Sequence, residues 1–87
     1  MIVYHVTSIT KFLKYLRLGV ILPPVRAWRN IEAAEDFSKR TGRTIILRLK
    51  FPEDVPFLPG HKHQAVYMRG PVYMSEVFNG WEARVFG

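Results

Sequence analysis

The sequence predicts an α+β domain: a small twisted sheet, mixed or antiparallel, carrying two helices. Three observations lead there. Helical periodicity appears only in the first half of the chain, at residues 9–18 and 31–41. Residues 44–51 and 63–69 instead alternate with period two. Turn signals at Gly19, Pro23-Pro24, Gly42, Gly70-Pro71 and Asn79-Gly80 punctuate these segments, giving helices early and strands late. The chain has 87 residues, which accommodate one domain, 1–87, with a small core. A hydrophobic content of 48% suffices to build that core and argues against disorder.

Ile2-Val-Tyr-His-Val6 is β-branched and aromatic and reads as a first strand, with Val3, His5 and Thr7 on one face. Thr7 or Ser8 can cap the helix that follows. In that helix Ile9, Phe12, Leu13 and Leu16 recur at i, i+3, i+4 and i+7 as one apolar stripe, and Gly19 stands where a left-handed end is needed. Val20–Leu22 and Val25–Trp28 read as extended segments. Asn30 caps a second helix whose inner face is Ile31, Ala34, Phe37 and Ser38, and Thr41-Gly42 stops it. The strand from Thr44 to Phe51 puts Ile45, Leu47, Leu49 and Phe51 on one face. Three prolines and a glycine make residues 52–62 a loop. His63 to Arg69 is a strand, 72–78 suits either a strand or a short helix, and Trp81 to Phe86 is a last strand after the Asn79-Gly80 turn.

The absence of cysteine excludes a disulfide scaffold, a thiolate metal site and a cysteine nucleophile. No apolar run approaches the ~20 residues of a membrane span, and no signal peptide is evident, so the expectation is a cytoplasmic protein with no membrane partner. The formal charge of +6 is uneven. Residues 1–50 hold ten basic and three acidic side chains, which points to an anionic partner as well as to solubility.

Several residues can carry chemistry. His5, at a strand end beside a helix start, can meet an anion or a ribose hydroxyl. Lys11, Lys14 and Arg17, with Lys39, Arg40 and Arg43, can form a phosphate-binding surface, and Trp28 between Arg26 and Arg29 can stack a base. His61 and His63 would share a strand face, yet no acidic partner is near and Lys62 lies between them, so no metal is expected. Gly-rich phosphate loops, nucleophile elbows and paired carboxylates are all missing.

Four segments together resemble the ADP-ribosyltransferase superfamily, which includes the poly(ADP-ribose) polymerases and the RNA 2′-phosphotransferases. Tyr4-His5-Val6-Thr7-Ser8 is similar to its first-strand Tyr-His-x-Thr/Ser motif. Lys14–Leu22 is similar to the helix and strand after that histidine, and Val25–Ser38 to the strand, loop and helix that come next. Gln64–Phe78 looks like the strand that begins with the catalytic glutamate.

The resemblance implies an ADP-ribosyltransferase-like fold in a minimal version. It implies NAD as cofactor, with His5 bonding the ribose, Thr7 helping to hold the nicotinamide amide and Phe37 stacking on nicotinamide. Gln64 falls at the catalytic glutamate, giving His-Phe-Gln where the best-known branch has His-Tyr-Glu. Arg26 would meet phosphate, and Trp28 shares the stacking role. A glutamine cannot supply the negative charge that steadies a departing nicotinamide. The expected function is therefore nucleotide binding first, with ADP-ribosyl or related transfer, catalysed by His5 and Gln64, second.

Two other readings stand beside it. One is a small basic, toxin-like RNA- or DNA-binding protein that uses Lys11, Lys14 and Arg17. The other is a homodimer formed through the aromatics of the late strands, Tyr67, Tyr73, Phe78, Trp81 and Phe86.

Overall fold

In a computed structural model, described for residues 1–77 and 83–85, strand β1 (Ile2–Thr7) is the centre of the sheet. It pairs with β4 (Ile45–Lys50) from Ile2↔Lys50 to Thr7↔Ile45, and with β3 (Val25–Trp28) at Tyr4↔Trp28. On the far side of β3 lies β5 (Ala65–Met68), and on the far side of β4 lies β7 (Ala83–Val85). The order is β5-β3-β1-β4-β7, and each of these pairs is antiparallel. A separate ribbon joins β2 (Val20–Ile21) to β6 (Val72–Tyr73), also antiparallel. Of the mixed and antiparallel sheets the sequence allows, the described residues form the antiparallel one.

Two helices flank the sheet, and their ends follow the local sequence. In α1 (Ile9–Leu18) the Ser8 hydroxyl accepts from the Lys11 amide at 3.2 Å, and Gly19 ends the helix at φ 76°. In α2 (Ile31–Thr41) the Asn30 side chain accepts from the Ala33 amide at 2.7 Å, and Gly42 ends it at φ 73°. Both glycines are in the left-handed region, where a Cβ is disfavoured. A third, single-turn helix, α3 (Met74–Val77), follows β6 directly, so the ambiguous segment is strand first and helix second. The Asn79-Gly80 turn, Phe78, Trp81 and Phe86 lie outside the described residues. No helix among the described residues is long and apolar enough to cross a membrane.

Strand alternation divides the core. Val3, Ile45, Leu47, Leu49 and Phe51 form one buried face, against which Phe12 and Tyr15 of α1 pack. Val6 and Ile46 form the other, against Ala34, Ile31 and Phe37 of α2. The two helices therefore cover opposite faces of the sheet.

Two expectations need correction. Of the apolar stripe of α1 only Phe12 packs on the core, where Tyr15 joins it, and Ile9, Leu13 and Leu16 are exposed. The strand expected from His63 begins at Ala65 instead. Residues 61–63 form a turn, in which Lys62 and His63 adopt φ of 50° and 60°. A backbone in that region cannot continue a β ladder, so His61 and His63 do not share a strand face.

Candidate functional site

The site arises where the sheet divides. Past the Tyr4↔Trp28 pair, β1 stays bonded to β4 while β3 stays bonded to β5. A cleft of about 510 Å³ opens there, with His5 and Val6 from β1 on one side and Arg26, Ala27 and Trp28 from β3 on the other. Helix α1 brings Lys11 and Tyr15 to it, α2 brings Phe37, and Arg43 enters from the turn after α2. Ile21, Leu22 and Pro24 line it ahead of β3, and a further wall comes from the long loop. Phe57 bridges to Val66, and the Leu58 amide donates to the Ala65 carbonyl at 2.9 Å. This carries Leu58, Pro59 and His61 over the cleft.

His5 spans the division. Its Nδ1 lies 2.6 Å from the Arg26 carbonyl oxygen, an atom that only accepts, so Nδ1 carries the proton. Nε2 is then an acceptor, and the Tyr15 hydroxyl donates to it at 3.2 Å. The Thr7 hydroxyl, buried behind, donates in turn to the Tyr15 oxygen at 3.4 Å. The chain Thr7–Tyr15–His5–Arg26 thus assigns the tautomer and ties α1, β1 and β3 together.

Burial pushes the His5 pKa below its usual value, and the positive charges of Lys11 and Arg43 push the same way. The bond to the Arg26 carbonyl opposes them. His5 is therefore a neutral, internally bonded imidazole at neutral pH, and not an exposed general acid.

The chemistry of the walls is one-sided. Lys11, Arg26 and Arg43 line the cleft, and among the described residues no aspartate or glutamate does. Trp28 and Phe37 contact each other with centroids 5.4 Å apart, and His61 sets its edge against Trp28 at the same distance. Arg43 and Arg40 each lie 5.7 Å from the centroid of the Phe37 ring. Cations beside aromatic faces suit a planar ligand that carries negative charge.

The structure brings His5, Arg26, Trp28 and Phe37 to one cleft. Thr7 stands behind it and reaches it through Tyr15. Gln64 is exposed at the start of β5 and outside the cleft wall, where its side-chain oxygen accepts from Asn30 Nδ2 and its carbonyl accepts from the Arg29 amide. Arg48, on β4 opposite Tyr4, also lies outside the wall. Of the cations on α1, Lys11 faces the cleft, while Lys14 and Arg17 are on exposed helix surface outside it. The His63 ring stacks on Phe57 at 4.8 Å while His61 meets Trp28, so the two histidines have different partners. Among the described residues no three histidine, aspartate or glutamate side chains gather as a metal-holding group.

Sequence reasoning passed over Tyr15. A polar-tipped aromatic three residues after Phe12 was the available signal, since i and i+3 share a helix face. The loop wall at Leu58, Pro59 and His61 left no comparable signal, because only the fold brings it over β3.

No protein-family model, curated protein or solved structure matches the chain. The functional reading accordingly rests on the cleft.

Proposed function

We propose that the cleft binds a nucleotide-like anion, with NAD as the leading candidate. The observation that carries this reading is a cavity of about 510 Å³ lined by Lys11, Arg26 and Arg43 and, among the described residues, by no carboxylate. Its volume lies within the roughly 300–1,000 Å³ typical of small-molecule sites. Phosphate would sit on the three cations, and a base or nicotinamide ring would stack on Trp28 or Phe37. The Tyr15 oxygen, which donates to His5 and accepts from Thr7, keeps one lone pair for a ligand hydroxyl or amide N–H.

The ADP-ribosyltransferase-like reading extends this to group transfer from NAD, with His5 and Thr7 near the ribose and nicotinamide and Gln64 orienting the ribose. The cleft supports the binding half of that reading. Gln64, committed to Asn30 outside the wall, adds no support to the transfer half.

Calorimetric titration with NAD, ADP-ribose and inorganic phosphate tests the proposal, with His5→Ala and the double variant Lys11→Ala/Arg43→Ala as controls. Saturable binding of a nucleotide that both controls weaken is expected. The absence of heat at millimolar nucleotide, or undiminished binding by the double variant, refutes it. Nicotinamide release from NAD reports transfer separately. A gel shift with RNA and DNA at two salt concentrations tests the nucleic-acid alternative, which requires Lys14 and Arg17 as well as Lys11.

A further inference from the structure

The aromatic wall of the cleft already carries positive charge. Arg40, three residues after Phe37 on α2, and Arg43 each hold a guanidinium 5.7 Å from the centroid of the Phe37 ring. Arg43 is fixed through its backbone: Gly42 ends α2 in the left-handed region, and the buried Ser38 hydroxyl donates to the Arg43 carbonyl. Trp28 meets the same ring at 5.4 Å. A planar group stacked on either aromatic therefore lies in the neighbourhood of two guanidiniums. Lys11 and Arg26 add further positive charge to the cleft, and His5 is neutral. Glu32, Glu35 and Asp36, on the same helix as Phe37, lie outside the wall.

Nucleotides differ in the charge of their rings. Oxidised nicotinamide carries a full positive charge. Adenine and dihydronicotinamide are neutral, and ADP-ribose has no nicotinamide ring. An aromatic face attracts cations, and two guanidiniums already engage the Phe37 ring. A third cation stacked there gains little from the ring and is repelled by both guanidiniums at close range. We infer that the cleft selects among nucleotides by ring charge, favouring NADH and ADP-ribose and discriminating against NAD⁺ through Arg40 and Arg43. This selectivity rests on the nucleotide reading above and adds to it the residues that set it. Arg40 stands outside the wall and contributes as charge beside the stacking ring.

Titration calorimetry on the full chain with NADH, NAD⁺ and ADP-ribose at one ionic strength tests this selectivity. NADH and ADP-ribose should bind at least about tenfold more tightly than NAD⁺. Arg40→Gln/Arg43→Gln should narrow the ratio of NADH to NAD⁺ affinity to within about threefold, even where both affinities fall, and Arg40→Gln alone should narrow it part-way. Lys14→Gln/Arg17→Gln removes the same net charge from exposed helix surface outside the cleft, and should leave the ratio within about twofold of the parent's. All four side chains are exposed, so circular dichroism should show the variants folded. The inference is overturned if NAD⁺ binds as tightly as NADH, if the ratio survives Arg40→Gln/Arg43→Gln, or if the surface pair narrows it equally. Failure of all three nucleotides to bind overturns the nucleotide reading and this selectivity with it, whereas saturable binding without discrimination overturns the selectivity alone.

Discussion

Replacing Tyr15 with phenylalanine removes one oxygen and keeps the ring that packs against the core. That oxygen accepts from Thr7 at 3.4 Å and donates to His5 Nε2 at 3.2 Å. Thr7 is only 1% exposed, so its hydroxyl loses a partner where water cannot easily replace it. Leaving a buried polar group unpaired costs about 1–3 kcal/mol. Both bonds are longer than the usual O–H donor distance, which places Tyr15→Phe near the lower end, at about 1–1.5 kcal/mol. A domain of this size loses roughly 4–8 °C in Tm per kcal/mol, so a fall of about 4–12 °C is expected in a thermal melt. A second readout follows from the direction of the lost bond. The Tyr15 hydroxyl donates to the neutral imidazole and so favours that form, and its removal should raise the His5 pKa toward its ordinary value, visible in an NMR titration. A melt within about 1 °C of the parent, together with an unmoved His5 titration, would refute the hydrogen-bonded chain.

The Asn30→Ala variant removes the cap of α2 and the amide that bonds Gln64, and should cost about 1–2 kcal/mol by urea unfolding. Asn30→Asp keeps the capping oxygen and loses only the donor to Gln64, so it should recover most of that loss. The lowered pKa of His5 gives stability a definite pH dependence. Between the unfolded value of 6.5 and the lower folded value, the unfolded chain binds more protons. The His5 contribution is therefore fully present above pH 6.5 and is lost as pH falls from there through the folded value. Urea midpoints from pH 7.5 down to about 4.5 should show this decline, and His5→Gln should flatten the part of it that begins near 6.5.

The elements were legible because each is specified by neighbours in the chain. Ser8 and Asn30 cap helices through amides three residues on, and Gly19 and Gly42 end them by the φ their lack of a Cβ allows. The face of β4 bearing Ile45, Leu47, Leu49 and Phe51 follows from alternation alone. The orientation of α1 was not legible. Its wheel has a clear apolar stripe, but the sheet presents Val3, His5 and Thr7 on the face it covers, and it meets that face with Phe12 and Tyr15. The histidine turn misled for a local reason, since periodicity does not register that Lys62 and His63 take positive φ.

His5, Arg26, Trp28 and Phe37 could be nominated from residue type and position. Their convergence depends on a feature with no local signal: β1 and β3 part after Tyr4↔Trp28, each held by a different neighbour.

What the sequence determined by itself is therefore the α+β class, the caps, the strand faces and the concentration of positive charge in the first 50 residues. All of these depend on side-chain chemistry and spacings of a few residues. The antiparallel order, the cleft, the tautomer of His5 and the exposed strip on α1 were decided only by the tertiary structure. Each depends on which strand edges and which faces meet, and that choice is made by contacts between residues as distant in the chain as His5 and Arg26, or Arg29 and Gln64.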